Sequence, residues 1–121
     1  MLHASCYRRM ADELYLSEVF EDSIEPLLAN DYHFTRNNLY SAAKATERKM
    51  NVNEGWQHAD ASTLVGWVKL YGNSHIAYLQ GGHDGDNYAD KNYQRLLQNA
   101  VHWVASDQAL NWARTNEAQT S

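Results

Sequence analysis

Residues 81–86 read Gly-Gly-His-Asp-Gly-Asp and follow the apolar run Ile76-Ala77-Tyr78-Leu79. A histidine beside an acid, framed by glycines at the end of an apolar run, is a place where proton transfer could occur. Imidazole titrates near neutrality, and a neighbouring acid can orient it. Gly81 and Gly82 tolerate positive φ and let a ligand approach the backbone closely. In open α/β sheets ligands bind beyond the carboxyl ends of strands, so His83 and Asp84 are the first candidates for chemistry.

The elements that must position this loop are legible on either side. Leu64 to Tyr71 is β-rich, Gly72-Asn73 makes a tight turn, and Ser74 to Gln80 forms a second strand. Together they predict an antiparallel hairpin. Downstream, Tyr93, Leu97, Ala100, Val101 and Val104 fall on one face of a helix over Asp90–Ala105, with Asp90 as its N-cap. Upstream, Ile24 to Leu28 is an apolar run interrupted by Glu25 and by Pro26, the sole proline, which marks an edge strand or the entry to one. Asn30 to Asn38 reads as loop. Leu39 to Met50 reads as a short helix or ordered loop, and Asn51 to Ser62, with Trp56 and His58, as a polar connection. Met10 to Leu16 fits one or two helical turns or an ordered loop. After Ser106 the chain turns polar, with one more helical turn over Asp107–Ala113 and a frayed end from Thr115.

Bulk properties bound the function. At 121 residues the chain is one domain at most. Its net charge is −5, and no cluster of Lys or Arg exceeds a pair, which argues against nucleic acid or an anionic membrane as partner. No stretch approaches the roughly 20 apolar residues of a membrane span, and Met1 to Met10 lacks the apolar stretch of a signal peptide. The default compartment is cytoplasmic, or periplasmic if the chain is a piece of a longer one. Cys6 is the sole cysteine, so no internal disulfide can form.

Three ordered segments carry a family resemblance. They are Val65-Gly66-Trp67-Val68-Lys69-x-Tyr71-Gly72, Tyr78-Leu79-Gln80-Gly81-Gly82-His83-Asp84, and Asn92-Tyr93-x-x-Leu96-Leu97-x-Asn99-Ala100-x-x-Trp103-Val104. Together they resemble the C-terminal half of the ThuA-like (trehalose utilisation) domain. Asp12-Glu13-Leu14-Tyr15 resembles that family's upstream Asp-Glu-x-Tyr element. The resemblance implies a flavodoxin-like three-layer α/β fold of the class I glutamine amidotransferase-like superfamily. It also implies a role in carbohydrate metabolism. The family's N-terminal strands have no counterpart, so residues 1–106 are expected to be a C-terminal portion ending in a hairpin and closing helix. Residues 107–121 are expected to be a polar tail.

Three chemistries compete for the candidate residues. Related amidotransferases use a cysteine nucleophile with a histidine and acid. Cys6, the one thiol, sits in Ala4-Ser5-Cys6-Tyr7 without a Gly-x-Cys-x-Gly elbow, which disfavours that route. A sugar site needs directional hydrogen bonds and aromatic faces. His83, Asp84 and Glu13 would supply catalysis, and Asp12, Tyr15, Gly81 and Gly82 would contact substrate. These residues converge only if the Asp-Glu-x-Tyr segment folds back over the glycine loop. Paired carboxylates there could act as acid and base in glycoside chemistry. The third route is metal: His83 with Asp84, Glu13 or His58 has ligand types that suit zinc, without a compact His-x-x-x-His spacing. No other cofactor is evident.

Trp67, Trp103 and Tyr78 read as core. His3, His33, His75 and His102 read as ordinary surface or core histidines. The two functional readings are a sugar-directed domain, with hydrolase-like activity an open question, and a non-catalytic module. The latter could self-associate or pair with a chain supplying the missing strands.

Overall fold

A computed structural model describes residues 12–33, 35–55 and 62–117. Cys6, His3, Trp56 and His58 lie outside the described residues. The protein is mixed α/β. Its elements are β1 (Glu25–Ala29), α1 (Ala42–Thr46), β2 (Leu64–Tyr71), β3 (Ser74–Leu79), α2 (Gly85–Ala89), α3 (Lys91–Val104) and α4 (Asp107–Glu117). A short 3-10 turn, Glu21–Ser23, precedes β1.

The strands form one sheet in the order β1-β2-β3, and both pairings are antiparallel. The described residues therefore contain no parallel pair of the kind a doubly wound sheet is built from. β2 and β3 pair in an unbroken register from Gly66↔Leu79 to Tyr71↔Ser74 around Gly72, whose φ of +55° suits a glycine turn. β1 carries Pro26 and two register shifts, and all five of its residues are exposed. Proline and bulges are how a sheet edge avoids pairing with another chain.

Strand periodicity of two separates the faces. One face carries Gly66, Val68 and Leu70 of β2 with Leu79, Ala77 and His75 of β3. Gly66 is buried, with Leu28 and Leu79 packed where its side chain would be. Val68 is buried as well. His75 on this face bonds the Val104 carbonyl through Nε2 at 2.6 Å and meets the edge of Trp103, tying β3 to the end of α3. A carbonyl can only accept, so Nε2 carries the proton. The other face carries Trp67 stacked on Tyr78, ring centroids 4.0 Å apart.

α3 begins at Asp90, whose carboxylate accepts from the N–H groups of Asn92 and Tyr93, the expected N-cap. Its inward side includes the buried Tyr93, with Leu96, Leu97, Ala100, Trp103 and Val104 half-buried along it. Val101, assigned to that face by its spacing, is instead 60% exposed. The contact stripe turns toward Trp103, which packs edge-on against Trp112 of α4. α4 runs further than the sequence suggested, from Asp107 to Glu117, and packs on β2 and β3. Ala109 and Ala113, four residues apart and both buried, are small enough for close approach to the sheet.

The core is thin. The buried apolar side chains among the described residues are Val68, Tyr93, Ala109 and Ala113.

Gly66 offers a direct test of this packing. A β-carbon there would lie 3.0 Å from Leu28 Cδ1 and 3.2 Å from Leu79 Cδ2. Gly66→Val is expected to destabilise the protein by about 1–3 kcal/mol, as overpacking does. Urea unfolding measures it, and an unchanged midpoint would show that this face has room to spare.

Candidate functional site

The glycine loop leaves β3 immediately after Leu79. The Gln80 N–H continues the ladder by one bond to the Val65 carbonyl, 2.8 Å. Gly82 then takes φ = +111°, a conformation L side chains rarely adopt. A β-carbon at Gly82 would sit 2.5 Å from the Tyr93 hydroxyl oxygen and 2.9 Å from that of Tyr88. Glycine is needed twice over here, for the backbone angle and for the space.

Two contacts anchor the loop from below and above. Tyr93, buried in the first turn of α3, donates its hydroxyl proton to the Gly81 carbonyl. Burial comes first among the causes that raise its pKa, followed by the charges of Tyr88 and Asp12. From the other side comes the segment at 12–20, which is neither helix nor strand. Asp12 accepts the Gly82 N–H at 2.9 Å and the His83 N–H at 3.2 Å, one on each carboxylate oxygen. Successive N–H groups converging on one anion form a concave binding unit that the Gly82 conformation makes available. Gln80 secures the same segment by donating from Nε2 to the Tyr15 carbonyl, 2.6 Å.

The Asp-Glu-x-Tyr segment thus folds back over the glycine loop, as a shared site requires. Glu13 Oε2 lies 2.9 Å from His83 Nδ1, and the Tyr15 hydroxyl lies 2.9 Å from the same oxygen. Tyr15 is also 3.2 Å from His83 Nδ1. One tautomer satisfies these contacts together. With the proton on Nδ1, both His83 and Tyr15 donate to Glu13, and neutral Nε2 keeps its lone pair. Nε2 has no hydrogen-bond partner among the described residues. A carboxylate on one ring nitrogen with the other presented outward is the arrangement of a histidine held for proton transfer or ligand binding.

Asp84 is used differently. Its Oδ1 accepts from the N–H groups of Asp86 and Asn87, making it the N-cap of α2. The orienting carboxylate of His83 is Glu13, seventy residues earlier in sequence but adjacent to it in space. Among the described residues, no group of three or more His, Cys, Asp or Glu side chains is arranged to hold a metal ion. Asp12 points both oxygens at backbone N–H groups rather than toward the Glu13–His83 pair.

The sequence reading missed three contributors: Gln80, Tyr88 and Tyr93. Tyr93 was placed in the core by its helical spacing, and nothing in that spacing says its hydroxyl reaches back to Gly81. No protein-family model, curated protein or solved structure matches the chain.

Tyr15 carries a raised pKa, chiefly because its hydroxyl is hydrogen-bonded to Glu13, with burial and the charges of Glu13 and Asp12 adding to the effect. A raised value favours the neutral phenol in the folded state. Its contribution is therefore complete below the ordinary tyrosine value of 10.0 and is lost as pH rises through the folded one. Carbon NMR of the Tyr15 ring should show titration above the ordinary value in the wild type and a return toward it in Glu13→Ala. Equal titration in both proteins would mean that the Glu13 contact does not persist in solution.

Proposed function

We propose that the chain is the C-terminal portion of a ThuA-like, flavodoxin-like domain that binds or transforms a sugar. The observation that supports this reading is the convergence of Asp12, Glu13 and Tyr15 on Gly81–His83. Residues distant in sequence meet where a hydroxyl-rich ligand would find a base, a carboxylate and a phenol hydroxyl. In this reading His83 Nε2 accepts a proton from a sugar hydroxyl or a water. Glu13 then balances the charge of the imidazolium. Tyr15 stays protonated at neutral pH and supplies an O–H beside the same carboxylate. Both Asp12 oxygens accept backbone N–H groups, so the chemistry rests on the histidine rather than on a glycosidase-like carboxylate pair. Asp84 acts on the loop by capping α2.

Titration with a panel of disaccharides including trehalose tests the proposal. Binding is expected in the wild type. Where turnover is found, His83→Ala should lower it about 10²–10⁴-fold, the usual contribution of a positioned acid or base. Failure of every sugar to bind, or a His83→Ala protein with unchanged binding and turnover, would overturn it.

A second reading draws on the thin core and on the apolar side chains it leaves uncovered among the described residues. Large apolar side chains such as Phe20, Leu27 and Tyr71 are more than half exposed. This favours a module completed by a partner chain or a second copy. Light scattering after size-exclusion chromatography separates the two readings, because a well-folded monomer would count against partner dependence.

A further inference from the structure

We infer that Tyr88 is the residue on which the sugar ring stacks, an inference that rests on the sugar-site reading above. Tyr88 lies in α2, a five-residue helix closed at one end by Asp84 and at the other by Asp90. Its ring is 52% exposed, so burial does not account for an aromatic residue at this position. Its phenol rim nevertheless reaches the loop. The Tyr88 hydroxyl and Cζ would be 2.9 and 3.2 Å from a β-carbon built on Gly82, the residue just before His83.

The ring is held as well as exposed. It meets the edge of Tyr93 at 76°, with centroids 5.6 Å apart, and Tyr93 is the side chain that anchors Gly81. The Tyr88 backbone is fixed in turn: its carbonyl accepts from Gln94 Nε2 at 2.7 Å. Among the described residues the Tyr88 hydroxyl has no hydrogen-bond partner. Tyr15, the other exposed tyrosine at the site, has its hydroxyl committed to Glu13. Tyr88 therefore offers a positioned ring and an uncommitted hydroxyl beside the catalytic candidate. A pyranose presents the complement, an apolar C–H face bordered by hydroxyls. Aromatic faces take up the former, and a phenol can donate to or accept from the latter.

The test is proton NMR and calorimetric titration of the full chain with trehalose, for wild type, Tyr88→Phe and Tyr88→Leu. Stacking places sugar C–H protons over the ring, so they should shift upfield in the wild-type complex. Tyr88→Phe should keep that shift and bind within about threefold of wild type. Tyr88→Leu should lose the shift and bind about five- to tenfold more weakly, as loss of an aromatic contact implies. Wild-type binding without an upfield shift overturns the inference and needs no variant to fold. So does wild-type affinity in a folded Tyr88→Leu protein, and in both cases sugar binding itself stands. Absence of trehalose binding in the wild type, if other sugars in the panel also fail, overturns the sugar-site reading and this inference together.

Discussion

The two hydrogen bonds from Gly82 and His83 to the Asp12 carboxylate hold the site together. They join segments about seventy residues apart, and the bond from Gln80 to the Tyr15 carbonyl holds the same segment beside them. Asp12 on the loop brings Glu13 to His83, and Tyr15 joins them through the Glu13 carboxylate. The junction is possible because Gly82 adopts a backbone angle that directs successive N–H groups to one anion. An ionised acceptor makes such bonds stronger than neutral ones.

The Glu13–His83 pair does little for stability. Both side chains are about half exposed, at 50% and 49%. Ion pairs in that setting contribute about 0–1 kcal/mol, reduced further by salt. Three polar side chains converge at a site where the gain in folding energy is small. Stability comes from elsewhere: the β2–β3 ladder, the alanine face of α4 and the buried ring of Tyr93. The separation between what stabilises the chain and what forms the site is consistent with a site kept for chemistry or binding.

Much of the framework was readable because it is local. β2 occupies the residues that the β-rich pattern marked, and α3 starts at its aspartate cap. Pro26 signalled an edge strand because proline has no N–H to donate to a ladder, and β1 lies at the edge. What escaped was set by distant contacts or by elements too short to show a period. α2 spans five residues and leaves only the spacing of Asp84 ahead of Asp86 and Asn87 as a trace. The segment at 12–20 has no periodicity because long-range bonds from Gln80, Gly82 and His83 hold it, not a helix or a ladder. Val101 was misassigned for a related reason: a helical wheel cannot say that Trp112 draws the contact stripe toward Trp103. The role of Asp84 was equally ambiguous, since an aspartate after a histidine suits a dyad and an aspartate before Gly-Asp-Asn suits a cap.

Asp90 ends α2 and begins α3, so the two helices share one hinge residue with no slack between them. Three residues into α3, Tyr93 grips the carbonyl of Gly81. The glycine loop, the short helix and the start of the long one therefore form a closed linkage, anchored at each corner by a side chain. Such a linkage acts as a lever: whatever presses on the loop also pushes against the long helix, and through His75 and Trp103 at its far end, against the sheet.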